Sequence, residues 1–298
     1  MARDTLQETV HPREKGPKPP FDEPAQTPPG SEARMCTKPD HGEESYRGFE
    51  RLKNRAALIT GADSGIGRAV AIAFAREGAD IGISYLPEEE ADARETVRWV
   101  QQAGRKAIPM PGDIRDEQHC RQMVDRMFAE CGRLDILVNN AAYQMYRKDV
   151  DDFSSEEWDR TFRTNIYAMF YLVKAALPRM QAGGAIINTA SVQAYQPTGM
   201  LLPYATTKGA IVTFTKALAE LAIERGIRVN AVAPAPVWTP LIPSTSPPEK
   251  VRQFGQDNPM RRPAQPAEIA PAYVFLASGE SSYVTGSVVD LTGGEMLP

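Results

Sequence analysis

From residue 55 onward, short apolar runs alternate with longer stretches of helical periodicity. Residues 56–59, 80–84, 107–110, 134–138, 185–188, 228–232 and 288–291 read as seven strands. Between them, 64–77, 88–103, 116–129, 154–180 and 204–224 read as helices, several closed by a glycine such as Gly78, Gly104 or Gly226. Strands that are apolar throughout are buried on both faces, so helices must cover both sides of a parallel sheet. Right-handed crossovers then make the sheet doubly wound, an α/β fold in a single domain.

Two segments break this rhythm. The first fifty residues hold eight of the 25 prolines and few aliphatic side chains. Proline fixes φ and removes a donor, so 1–48 is expected to be an extended arm without helix or strand. Composition favours a disordered tail; the alternative is an arm that wraps a neighbouring subunit through Phe21, Tyr46 and Phe49. Residues 233–260 carry seven prolines and little periodicity, the mark of a lid or binding loop over the domain that spans 49–298.

Composition then removes whole classes of function. At 298 residues and 42% hydrophobic, the chain can bury a sizeable core. A net charge of −4 offers no electrostatic footprint for nucleic acid or a membrane surface. No apolar run approaches the ~18 residues of a membrane span, and no signal-peptide core is visible. Cys36, Cys120 and Cys131 form neither a metal-ligand spacing nor an even disulfide set. Reduced thiols in a cytoplasmic protein with no metal are the expectation.

The candidate chemistry sits in two places. Thr60-Gly61-Ala62-Asp63-Ser64-Gly65-Ile66-Gly67 falls where the first strand turns into the first helix. Residues without a Cβ there let backbone amides approach a pyrophosphate at a helix N-terminus. Downstream, Ser191 follows the fifth strand, Tyr204 lies thirteen residues on and Lys208 four after that. Positions i and i+4 share a helix face, so the ammonium can lower the tyrosine pKa from its ordinary value near ~10. Each residue alone has an ordinary structural reading, as a core tyrosine, a solvated lysine or a turn serine.

Taken with Asn139-Asn140-Ala141-Ala142, these motifs resemble the short-chain dehydrogenase/reductase family over residues 52–298, and imply its Rossmann-type fold. The arm, Asp63-Ser64-Gly65-Ile66-Gly67 and Gln253-Phe254-Gly255 resemble a bacterial subgroup of general stress proteins and uncharacterised oxidoreductases. The resemblance implies an NAD(P)-dependent enzyme that moves hydride between nicotinamide and a small aldehyde, ketone, alcohol or sugar. Tyr204 would be its general acid/base, Lys208 would tune Tyr204 and bond the nicotinamide ribose, Ser191 would hold the substrate oxygen, and Asn165 would support a water relay. Cofactor contacts are implied for Gly61, Asp63, Ser64, Gly65, Ile66 and Gly67, for Tyr85, and for Asp113 and Ile114 at the adenine. They are implied also for Asn140, Ala141 and Ala142, and for Pro234, Val237 and Thr239 on the loop over the nicotinamide. In that loop Ala235 replaces the family's glycine, where a positive φ would strain an alanine. Gln193, Tyr195 and Trp238 are implied on the substrate side, with Tyr143, Leu241 and Ile242 as further candidates.

Tyr85 stands where an acid would bond a ribose 2′-hydroxyl and repel a 2′-phosphate. Its absence points to NADP, with NAD left open because Ser64 is not basic and Glu88, Glu89 and Glu90 are near. The resemblance further implies a homotetramer, with the Asn165 and Tyr204 helices in its larger interface. The alternative in another class is a dinucleotide-sensing stress protein without turnover.

Overall fold

A computed structural model describes residues 10–297. The strands are β1 Ala56–Thr60, β2 Asp80–Tyr85, β3 Ala107–Pro111, β4 Ile136–Asn139, β5 Ala185–Thr189, β6 Arg228–Pro234 and β7 Val288–Leu291. They form one parallel sheet in the order β3-β2-β1-β4-β5-β6-β7. The helices are α1 Gly65–Arg76, α2 Glu90–Gln102, α3 Glu117–Cys131, α4 Ser155–Phe162, α5 Ala168–Ala176, α6 Leu202–Ile223, α7 Leu241–Thr245, α8 Pro248–Arg252 and α9 Pro266–Ala277. This is the doubly wound Rossmann-type architecture that the apolar pattern predicts.

Strands β1 and β5 are buried at every position because each has a helical layer on both sides. On one face Ile59, Ile81, Ile83 and Val138 pack with Val70 and Phe74 of α1, Val100 of α2 and Tyr273 of α9. On the other, Leu58, Ile108, Leu137 and Ile186 pack with Met123 of α3, Leu172 of α5 and Leu218 of α6. Strand order reverses between β1 and β4. The loops leaving these two strands diverge to opposite faces and open a crevice at the carboxyl edge. No helix among the described residues is long and apolar enough to cross a membrane.

Three departures from the sequence expectations have physical causes. The helical stretch 154–180 is interrupted between α4 and α5 by one π-helical turn, Arg163–Tyr167, centred on the buried Asn165. Helix α9 was not anticipated, because Pro266 and Pro271 hide its periodicity. Pro266 is tolerated in the first turn, and the Glu268 carboxylate accepts the Gln265 N–H at 2.9 Å, closing the N-terminus despite the internal Pro271.

The third departure is the arm, which docks on its own domain and is no free tail. Residues 10–48 lie on their own domain with two 3₁₀ turns, Pro12–Glu14 and Glu32–Arg34, and no strand. Phe21 stacks on Trp238 at 4.0 Å, and Tyr46 donates to the buried Glu77 at 2.6 Å. The backbone is tied down as well: Phe21 N–H to Arg252 O, Gln26 N–H to Pro243 O and Ala267 N–H to Asp40 O. Of the three expected anchors only Phe49 is left out, at 77% exposure.

Candidate active site

The glycine-rich turn leaves the end of β1 with Gly61 at φ +60° and Gly65 at φ +50°. A Cβ on Gly65 would sit 3.0 Å from Thr239 Cγ2, so lid and turn meet in a contact that only glycine allows. At Gly67 the limit is space: a Cβ would lie 1.9 Å from the Gly61 carbonyl oxygen. Asn140, beyond β4, closes the turn by donating from Nδ2 to Thr60 O at 3.0 Å and Gly61 O at 3.1 Å. Thr60 Oγ1 accepts the Asn140 and Ala141 amides in return, at 2.9 and 3.1 Å. At the start of α1, the Gly65 amide is bonded to Glu32 of the arm at 2.8 Å. The next two amides, of Ile66 and Gly67, meet no acceptor among the described residues. Two open donors at a helix N-terminus, beside a cradle no side chain can fill, fit a pyrophosphate.

From this turn a cavity of about 220 Å³ runs to Tyr204 and Lys208. Of the residues implied to contact a cofactor, Gly61, Asp63, Ser64, Gly65, Ile66, Tyr85, Asp113, Ile114, Asn140, Ala141, Ala142, Tyr204, Lys208 and Thr239 line it. Gly67, Pro234 and Val237 stand behind the wall, the last buried against Ala264. Ala235 lies outside the left-handed region, which among the described non-glycine residues holds only Glu50, Asn54 and Arg261, so alanine is unstrained there.

Lys208 is 2% exposed and donates from Nζ to Thr189 O at 2.6 Å. Its Nζ lies 5.2 Å from the centroid of the Tyr204 ring, one helical turn away on α6. Burial brings the Lys208 ammonium down to about 7. Burial also pushes the Tyr204 phenol up to about 12, against the pull of the neighbouring Ser191 hydroxyl. Ser191 itself caps the 3₁₀ turn Val192–Ala194, accepting the Gln193 N–H at 3.2 Å. Tyr204 and Lys208 therefore line one end of the cavity, with the Ser191 hydroxyl beside Tyr204 but off the cavity wall.

Asn165 is buried on the π turn beside α6. Its Oδ1 accepts the Tyr143 N–H at 2.8 Å, and its Nδ2 donates to Tyr143 O at 2.9 Å and Thr207 Oγ1 at 3.0 Å. The amide clamps the β4 loop to α6 and makes no bond to Lys208.

On the substrate side, Trp238 is a correction. It is fully buried between Phe21 and Phe254, and its indole N–H donates to Thr37 O at 2.8 Å. Docking of the arm, which has no local sequence signal, turns this side chain away from the cavity. Gln193 and Tyr195 are also off the wall: the first accepts the Thr198 N–H, and the second packs with Met169, Ala190 and Ile211. Tyr143 and Leu241 do line the cavity, joined by Arg160, Thr164 and Pro240, which sequence reasoning missed. Pro28 and Pro29 of the arm line it too.

At the end of β2, Tyr85 donates to Glu90 at 2.7 Å. Burial raises the Asp63 and Glu89 carboxyls at this corner above their ordinary range; the Asp63 carboxylate raises Glu89 further, and Glu32 of the arm raises Asp63. At Asp113 burial is more than offset by bonds from Arg115, at 2.8 and 3.0 Å, which hold its carboxyl low.

A glycine-lined crevice at a switch point, reaching a half-buried tyrosine beside a buried lysine, places the molecule among dinucleotide-dependent oxidoreductases. Comparison with known proteins makes the assignment specific. The family profile described as enoyl-(acyl carrier protein) reductase matches residues 61–295. An uncharacterised oxidoreductase of Bacillus subtilis (strain 168), YhdF, is 52% identical over 90% of this chain and 93% of its own length. General stress protein 39 of the same organism is 50% identical over 92% of this chain and 96% of its own. A crystal structure of a short-chain dehydrogenase from Burkholderia cenocepacia J2315 in complex with NADP superposes with a TM-score of 0.76 at 31% identity, covering 82% of this chain and 98% of that one. The chain belongs to the short-chain dehydrogenase/reductase family and is an NAD(P)-dependent oxidoreductase.

Proposed function

We propose that the protein interconverts a carbonyl and an alcohol in a small aldehyde, ketone or sugar, with Tyr204 as the proton-transfer group. The observation that carries this reading is that Tyr204 and Lys208 line one end of a cavity whose other end is the glycine-rich turn, with Ser191 beside the phenol. The nicotinamide dinucleotide, when bound, supplies or accepts the hydride. The open Ile66 and Gly67 amides and the walls formed by Asn140 to Ala142 would hold it. A phenol raised to about 12 is neutral at neutral pH and is set to give its proton to a carbonyl oxygen. Ser191, whose hydroxyl lies beside that phenol, would take the same substrate oxygen. Lys208 lies within Coulomb reach of the phenol, and when protonated it eases loss of the proton from Tyr204. In the oxidative direction the same groups act in reverse, with Tyr204 as base.

For the dinucleotide we infer NADP over NAD. Tyr85 places no carboxylate at the end of β2, and the raised Glu89 carboxyl keeps a proton that a free acid would lose. The exposed faces of α5 and α6, with Phe170 and Leu221 outward, support a homotetramer assembled through them, in a cytoplasmic setting. Fluorescence titration of the purified protein with NADPH and NADH tests the cofactor reading. Tighter NADPH is expected; tighter NADH overturns the preference, and binding of neither overturns the proposed function.

A further inference from the structure

The arm reaches the cofactor crevice with a buried acid. Glu32 is 5% exposed, and its Oε1 accepts the Gly65 N–H at 2.8 Å while facing His41 Nε2 at 2.8 Å. Its Oε2 pairs with Arg68, itself buried on the first turns of α1. Arg68 in turn donates to Asp63 O at 2.9 Å, to Thr96 Oγ1 at 3.1 Å and to Asp92 O at 2.9 Å. The glycine-rich turn is thus held at two backbone atoms, the Asp63 carbonyl and the Gly65 amide, by a network that ends in the arm. A few residues earlier Pro28 and Pro29 form part of the cavity wall. Gly30 follows at φ +63°, so close to the lid that a Cβ would lie 2.5 Å from Pro240 O. Pro240 lines the same cavity. One strap therefore touches both the phosphate turn and the lid.

We propose that residues 28–32 of the arm are a built part of the dinucleotide site, with Glu32 a positioning residue that fixes the glycine-rich turn for binding. The idea rests on the cofactor reading above. Its physical basis is a shared network: without the carboxylate, the Gly65 amide loses its acceptor and the buried Arg68 guanidinium its closer counter-charge. Arg68 would keep only the longer pairing with Asp92, at 3.8 Å; both losses are costly inside a protein, and the turn would shift to find substitutes. The Ile66 and Gly67 amides, next along the chain, would move with it. Linkage also requires the converse, that a bound dinucleotide stabilises the docked arm.

The test is equilibrium binding of NADPH and NADH to the full chain and to Glu32→Ala and Glu32→Gln, well below each melting temperature. Val100→Ala, a core truncation on α2 away from the turn, serves as a stability-matched control. The expected result is affinity about tenfold weaker in Glu32→Ala, weaker also in Glu32→Gln, and unchanged in Val100→Ala. Unchanged affinity in both Glu32 variants overturns the proposal, as does an equal loss in Val100→Ala. Should the Glu32 variants fail to fold, the wild-type chain gives a second readout. Arg34 is exposed in the arm, and saturating dinucleotide is expected to slow tryptic cleavage there; an unchanged rate overturns the proposal. A wild-type chain that binds neither dinucleotide would instead remove the cofactor reading.

Discussion

Gly67→Ala is the sharpest perturbation of the crevice. The added methyl would lie 1.9 Å from Gly61 O, 2.7 Å from Gly61 C and 2.8 Å from Asn140 Nδ2. The first of these is about 1.5 Å short of ordinary contact, and its partner is backbone that cannot rotate away. Turn and helix must separate, and the Asn140 bonds to Thr60 O and Gly61 O lengthen as they do. Overpacking costs about 1–3 kcal/mol and a strained hydrogen bond about 1 kcal/mol, so a loss of about 2–4 kcal/mol is expected. At about 2–4 °C per kcal/mol for a chain of this size, the melting temperature should fall by roughly 4–16 °C. Because Gly61 and Asn140 also wall the cavity, dinucleotide affinity should fall at least tenfold, about 1.4 kcal/mol, in fluorescence titration. Gly209→Ala in α6 is the matched control: nothing lies within 4 Å of its would-be Cβ, and it should gain about 0.5–1 kcal/mol from helix propensity. A Gly67→Ala protein that melts and binds like wild type would refute the argument from space.

Two further outcomes follow from buried charge. Lys208→Met should raise the melting temperature by a few degrees, about 1–2 kcal/mol, while turnover is lost, because burial brings the ammonium down to about 7 and so disfavours the folded state. A lower melting temperature would mean that its bond to Thr189 O outweighs the desolvation. At Glu77 burial is overcome by Arg51, Tyr46 and two backbone amides, which lower the carboxyl from 4.5 to about 2. A depressed acid stabilises above its unfolded value and loses that contribution as pH falls through the folded one. Glu77→Gln should therefore be less stable than wild type at pH 7, with the gap narrowing from about pH 4.5 down to about 2 in denaturant melts. A gap independent of pH would refute the assignment.

How much of this was legible in the sequence depends on the range of the interaction. The strands were readable because burial on both faces demands an apolar residue at every step, as in Ala56–Thr60. The glycine turn and the Tyr204–Lys208 pair were readable because their spacing is local. Helix α9 was hidden by Pro271, whose missing N–H matters less once Glu268 caps the helix and Tyr273 and Val274 are buried. The arm was legible as an extended segment with Phe21 and Tyr46 as anchors, but where it docks was not, since Phe21 meets Trp238 and Glu32 meets Arg68 only in three dimensions. That contact also decides Trp238, which the family resemblance implies at the substrate and packing places beneath the arm. Asn165 shows the same limit: its position on a π turn sets its partners, and residue type alone does not.

The central claim is that Tyr204 moves the proton. Reduction of a panel of small aldehydes, ketones and sugars with NADPH and NADH, by wild type and Tyr204→Phe, tests it directly when dinucleotide binding is titrated alongside. The account predicts wild-type turnover on at least one substrate, a fall of about 10²–10⁴-fold in Tyr204→Phe, and unchanged dinucleotide affinity. Wild-type turnover rates in Tyr204→Phe would contradict it.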